Sequence, residues 1–162
     1  MSMIDYEDTF ESADSGASLT FPSTAGDVKL GGYMCIEKRP CKIVDYDTHK
    51  TGKHGSAKCS IVGIDIFTDK KMVESLPADT HIEIPIITRR EFSVFSIDEQ
   101  GYCSLLDVIT NEMRNDIRLP DLTDVDEDLS KKLSAEILAG KDVNVTVMSA
   151  MNMEKIIDFK EI

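Results

Sequence analysis

The chain has 162 residues, 30 of them acidic and 18 basic, for a formal charge of −12. That length allows one ordinary domain or two small ones. So acidic a chain opposes indiscriminate adhesion to nucleic acid or to an anionic membrane surface, and any contact with RNA has to be local. No stretch approaches the roughly 18 consecutive apolar residues of a membrane helix. Nothing at the N-terminus resembles a signal peptide, and Cys35, Cys41, Cys59 and Cys103 form no C-x-x-C pair. We expect a cytoplasmic chain with no membrane partner.

Residues 1–20, MSMIDYEDTFESADSGASLT, mix Asp, Glu and Ser with apolar residues that keep no period. They have little with which to offset the entropy of ordering, and a disordered acidic tail is expected. From Asp27 short apolar runs alternate with Gly, Pro and Lys: VKLGGYMCIEK, CKIVDYD, KCSIVGIDIF, the turn TDKK, and HIEIPI. In HIEIPI, Ile82 and Ile84 share one face while His81 and Glu83 share the other, the period of a half-buried strand. Several such strands predict a small closed barrel, because closure removes exposed edges.

Pro85 and the following IITRREF mark a junction, giving boundaries of 1–20, 21–84 and 85–162. Strands resume in REFSVFSI and YCSLLDVI with a turn at DEQG between them. The apolar set of REFSVFSI shifts phase from Phe92 and Val94 to Phe95 and Ile97, which fits a bulge. Residues 123–140 read as a helix: Val125, Leu129, Leu133 and Ile137 recur every four residues, Thr123 caps the start, acids crowd the first turn and Gly140 follows the end. KDVNVTVMSAM then alternates as a strand. Strands, one helix and a further strand fit a five-stranded OB-type barrel. No internal repeat is visible between the halves.

The charge is uneven. Residues 1–27 carry six acids and no base, residues 28–84 nine bases and eight acids, and residues 85–162 nine bases and sixteen acids. Within the neutral middle, residues 48–58 read THKTGKHGSAK, with three lysines and no carboxylate. This window falls between two strands and is predicted to tip a long hairpin. Gly52 and Gly55 bracket Lys53 and His54, and glycine's freedom lets a bracketed lysine stand clear and enter a narrow hole. The plain alternative is a solvated turn with incidental charge. Phosphate cradling is disfavoured because the Walker pattern is absent and no helix follows. His49, His54 and Cys59 match no common zinc spacing, so no metal is expected. Cys41 and Cys59 alternate like ordinary strand cysteines, His81 reads as solvent-facing, and Met148, Met151 and Met153 read as gap-filling core. The acidic run DVDEDL lacks the glycine and terminal glutamate of a calcium loop, and the sequon Asn144-Val145-Thr146 lies inside a strand and is read as chance.

The string KTGKHGSAK followed by VGIDIFTDKK, with RPCKIVD upstream and DIRLPD and VNVTVMSAM downstream, closely resembles the eukaryotic translation initiation factor 5A family, the hypusine-containing factors. The match runs from about residue 20 to the C-terminus. The resemblance implies a mainly β fold, an SH3-like N-terminal barrel (21–84) joined to a C-terminal OB-fold barrel with one helix (85–162). It implies that Lys53 receives an aminobutyl group from spermidine through deoxyhypusine synthase and is then hydroxylated by deoxyhypusine hydroxylase. The hypusine so formed is covalent, and no dissociable cofactor is implied. It also implies a translation elongation factor that binds the ribosome. There the hypusine reaches the acceptor end of peptidyl-tRNA, relieves stalling at polyproline and other poor sequences, and assists termination.

The physical logic follows from the residue. Lysine is a charged but short donor, and extending it adds reach, a second amine and a hydroxyl for phosphates and 2′-hydroxyls of an RNA end. Such a factor contributes position rather than catalysis, so no enzyme is expected. By the same comparison Lys50, Thr51, Gly52, His54, Gly55 and Lys58 shape the loop or touch RNA or the modifying enzymes. Ser56 stands where the family usually has histidine, and His49 where a serine is common. The alternative from another class is an RNA-binding or self-assembling OB-fold structural protein without the modification.

Overall fold

The computed structural model describes residues 18–50 and 57–162. The first half contains β1 (Thr20–Thr24), a 3-10 turn (Ala25–Asp27), β2 (Tyr33–Ile36), β3 (Arg39–Lys50), β4 (Ala57–Asp65), β5 (Lys71–Pro77) and β6 (His81–Pro85). The second contains β7 (Thr88–Ile97), β8 (Tyr102–Asp107), β9 (Met113–Arg118), α1 (Asp124–Leu138), β10 (Val143–Ala150) and β11 (Met153–Glu161). The expected disordered tail falls outside the described residues up to position 17. Ser18 to Thr20 are placed, and Thr20 opens β1. The strands β1, β5, β9 and β11 had no counterpart in the sequence reading.

Among the described residues the mainly β class with one helix holds, but the expected closed barrels do not: the ladders are open. The order β2-β3-β4-β5 forms one sheet, β1 and β6 form a separate ribbon, and β11-β10-β7-β8-β9 forms the third. Packing and side chains span the gaps instead of backbone hydrogen bonds. In the first half, Met34 and Ile36 of β2 share one buried cluster with Ile82 of β6. In the second, the Arg114 guanidinium of β9 donates two bonds to Glu154 of β11, at 2.8 and 2.6 Å. Irregular pairing at Cys103 and Leu105, and again opposite Thr146 and Val147, bends these edge strands out of ladder register.

Helix α1 closes one end of the second core. The Thr123 hydroxyl accepts from the Asp126 amide at 3.0 Å, as an N-cap should, and Gly140 takes the left-handed conformation after the last turn (φ 78°). Leu133 is fully buried, with Leu129 and Ile137 packed beside it. Val125 departs from the expected stripe and is 72% exposed. The reason is geometric: a four-residue step overshoots a 3.6-residue turn by about 40°, so two steps carry Val125 off the core-facing side.

An internal repeat exists after all, in three dimensions. Each half contains a three-stranded meander, β3-β4-β5 and β7-β8-β9. In the first, Cys41 pairs with Asp65 and Arg39, two residues earlier, reaches the Asp65 carboxylate. In the second, Phe92 pairs with Asp107 and Arg90, again two residues earlier, reaches the Asp107 carboxylate. The register slips at Val44 in β3 and at Phe95 in β7, five residues after each arginine. Phe95 is thus the bulged residue and faces solvent instead of joining the core.

The turns that follow match atom for atom. Asp65 Oδ1 accepts from the amides of Phe67 and Thr68 at 2.8 and 3.2 Å. Asp107 Oδ1 accepts from those of Ile109 and Thr110 at 2.8 and 3.1 Å. Asp69 and Asn111 both adopt left-handed backbone, φ 62° and 65°. Only the sequences DIFTDK and DVITNE stand behind this likeness, too little to detect by eye.

The first copy of the turn docks against the second half. Phe67, 2% exposed, packs with Met148 and Ala150, flanked by Ile66, Ile87, Met153 and Ile157. Its carbonyl accepts from Lys155 Nζ at 2.8 Å, and the same ammonium lies 3.1 Å from Asp126 at the start of α1. Lys155 is 8% exposed, so three elements share one buried charge.

A buried pair is most sensitive to losing one member. Lys155→Met removes the cation beside the Asp126 carboxylate, leaving it only the Leu122 amide at 3.1 Å, and strips the Phe67 carbonyl of its donor, so stability in urea should fall by about 3 kcal/mol. Adding Asp126→Leu should restore part of it, because the Phe67 carbonyl and the Leu122 amide still lack partners; a single variant as stable as the wild type would contradict the seam.

Candidate functional site

Strands β3 and β4 run antiparallel to the pair Lys50↔Ala57, with His49 opposite Lys58. The predicted hairpin is therefore present, and residues 51–56 join its two strands. Thr51, Gly52, Lys53, His54 and Gly55, together with Ser56, lie outside the described residues. Lys50 and Lys58 are described and exposed. The register places them on opposite faces of the arm, Lys50 on the face of Ala57 and Lys58 on that of His49. Among the described residues neither lysine forms an ion pair.

The repeat explains how the arm arises. In the first meander Tyr46 pairs with Ile61, four residues before Asp65; in the second Ile97 pairs with Cys103, four residues before Asp107. Beyond these equivalent pairs the first hairpin continues through residues 47–60, whereas the second turns within residues 98–102. Arg39 and Asp65 are 26 residues apart and Arg90 and Asp107 are 17 apart, and the whole difference is arm.

Tyr46 fastens the root. Its hydroxyl donates to the Ala25 carbonyl at 3.0 Å and sits 3.3 Å from the Cys59 sulfur. Burial, then the Cys59 contact, pushes the phenol up to about 12, so the donor stays protonated throughout the neutral range. On the other side the Ala57 carbonyl accepts from the Ala78 amide at 2.8 Å, tying β4 to the loop after β5. From Val44 outward β3 is an edge. The bulge at Val44 and the charges of Asp45, Asp47 and Lys50 discourage pairing with another chain.

The chemistry available here is that of a cationic probe. Cys59 is buried under Tyr46 while His49 is exposed on the arm, so these two do not converge as ligands. Among the described residues no group of three or more His, Cys, Asp or Glu side chains gathers in a way that could hold a metal ion. Burial raises the thiols of Cys41 and Cys103 to about 11, which leaves them protonated and poorly nucleophilic. All four cysteines are free.

His81 is exposed and bonded to Glu83 at 2.6 Å. Met148 is buried in the seam and Met151 and Met153 line it. Asn144 is buried and donates to Glu91 at 2.7 Å, an unsuitable position for a glycan. No helix among the described residues is long and apolar enough to cross a membrane.

Two family models match the chain. Residues 18–81 match "Translation initiation factor 5A-like, N-terminal", and residues 86–160 match "Eukaryotic elongation factor 5A hypusine, DNA-binding OB fold". The chain belongs to the translation initiation factor 5A family. It is 42% identical over 160 residues to eukaryotic translation initiation factor 5A-1 of Arabidopsis thaliana, covering 99% of this chain and 98% of that one. Over 159 residues it is 42% identical to factor 5A-2 of Saccharomyces cerevisiae, covering 98% and 97%. Among solved structures, a family protein from Naegleria fowleri superposes with a TM-score of 0.83 at 43% identity, covering 88% of this chain and 99% of that one. The factor from Methanococcus jannaschii gives 0.66 at 29% identity, with 88% and 96% covered.

Members of this family are translation factors and carry hypusine, a covalent modification. For this member, sequence reasoning missed the brace at Tyr46, although an aromatic between Asp45 and Asp47 in an otherwise polar arm was a visible signal. It also missed Lys155 and Asp126, which no local pattern pairs.

Tyr46→Phe keeps the ring and removes the donor. We expect a loss of about 1 kcal/mol and faster amide exchange confined to residues 47–50 and 57–60, measured by hydrogen-deuterium exchange. Unchanged exchange in the arm would mean the hydroxyl does not hold it.

Proposed function

We propose that the chain is a hypusine-containing translation elongation factor whose modified residue is Lys53. The observation that carries this reading is the arm. Two strands held in register as far as Lys50 and Ala57 lead into a six-residue connection in which Gly52 and Gly55 bracket Lys53 and His54. Family membership supports the modification: an aminobutyl group from spermidine added by deoxyhypusine synthase, then hydroxylated by deoxyhypusine hydroxylase. The division proposed is 21–84 for the arm-bearing unit and 85–162 for the OB-fold unit.

In this reading the factor binds the ribosome in the cytoplasm and holds the acceptor end of peptidyl-tRNA. The extended side chain offers two amines and a hydroxyl to phosphate and ribose oxygens. Lys50, Thr51, Gly52, His54, Gly55 and Lys58 shape the approach or contact the RNA and the modifying enzymes. Proline reacts slowly in peptide transfer and restricts chain geometry, so fixing the tRNA end restores a near-attack arrangement. The same hold assists termination. No reacting group comes from the factor, which is why we class it as a non-enzyme.

The modification is the first thing to test. Wild-type chain incubated with deoxyhypusine synthase, NAD and spermidine labelled in its aminobutyl part should take up label as 1,3-diaminopropane is released, and Lys53→Arg should take up none. Persistent labelling of the variant at another lysine would defeat the assignment.

A further inference from the structure

Two copies of one turn stand in different surroundings. In the first, Ile66 and Phe67 are packed into the seam with the second half, and the Phe67 carbonyl receives the Lys155 ammonium. In the second, the equivalent residues are Val108 and Ile109, and they face solvent: Ile109 is 85% exposed and Val108 41%. Met113, at the start of β9, adds a further exposed apolar side chain.

This exposure does not come from a slack loop. The Ile109 and Thr110 amides, together with Arg90, hold the buried Asp107 carboxyl below the usual carboxylate range. The Asn111 amide bonds back to the Asp107 carbonyl at 2.9 Å. Turns favour Gly, Asn, Asp, Ser and Pro; two β-branched aliphatics at the tip of a fixed turn run against that preference. A rigid backbone carrying apolar groups into water has already met the ordering cost of binding.

The geometry points to the Val108–Ile109 tip as a protein-docking anchor whose partner is a basic ribosomal protein, with an apolar pocket for Ile109 and a lysine or arginine donating to its carbonyl. The first copy supplies the form of that complement, since Met148, Ala150 and Lys155 receive Phe67 in this way. A second copy of the chain is a poor occupant, because its own Phe67 fills the equivalent pocket. Charge selects the sign: Glu112 is exposed beside the tip, and residues 85–162 carry sixteen acids against nine bases. The same acidity disfavours bare RNA at this position. The choice of a ribosomal partner rests on the ribosome binding proposed above.

Full-length wild type, Ile109→Asp, Ile109→Ser and Ile109→Leu are co-sedimented with salt-washed eukaryotic ribosomes and, separately, with protein-stripped ribosomal RNA. Ile109→Asp and Ile109→Ser should weaken ribosome binding about tenfold or more while Ile109→Leu stays within about twofold, and all four should bind the RNA alike. Ile109→Asp and Ile109→Ser binding ribosomes like the wild type would overturn the inference, and so would an equal loss on stripped RNA, which would put RNA at the tip. Failure of the wild type itself to bind ribosomes is read before any variant is compared; it overturns the functional proposal and removes this inference with it.

Discussion

A carboxylate withdrawn from water has to be met by donors, and the way Asp65 is met organises the molecule. Burial alone would raise its pKa, but the Arg39 bond and the amides of Phe67 and Thr68 outweigh that and hold it below the usual carboxylate range. Arg39 stands at the start of β3 and Asp65 at the end of β4, so the ion pair closes the base of the hairpin whose far end carries the lysine window. The amides that satisfy the same carboxylate also fix the turn that sends Phe67 into the second half. One buried acid thus sets both the root of the arm and the contact between the halves.

That arrangement makes sense of the charge distribution. On the function proposed above, a factor that works by position needs a stiff path from its contact surface to the arm, and packed side chains supply one as far as the root of the arm. Lys155 ties the turn to α1, Phe67 fills the seam, and Tyr46 holds the arm where it leaves the sheet. The acidic remainder of the chain repels phosphate, so the arm is the part free to approach it. The long hairpin is the first meander with its turn carried outward, whereas the second copy keeps a short turn at residues 98–102.

Much of this was legible in the sequence because it is local. Alternation marked KDVNVTVMSAM as a strand, whose Val143, Val145 and Val147 lie in the core, Thr123 and Gly140 bounded the helix, and the phase shift at Phe95 announced a bulge. The glycine-bracketed lysine pointed to the family. What stayed hidden depends on distance along the chain. The Lys155 to Asp126 pair spans 29 residues and the Lys155 to Phe67 contact 88, and no periodicity registers either. The repeat was invisible because its identity resides in register and hydrogen bonding, with only an arginine, an aspartate and a threonine in common. Expected barrel closure failed for a related reason: whether two edges meet depends on strand bends, such as those near Leu105 and Val147, that composition does not encode.

The account stands on the claim that the chain acts by placing a lengthened cation from position 53 against the peptidyl carrier. Its most direct measurement is the rate of Pro-Pro bond formation in a reconstituted translation system supplied with no factor, with hypusine-bearing wild type, or with Lys53→Arg. The account predicts acceleration by the modified wild type and none by the variant. Full acceleration by Lys53→Arg would contradict it.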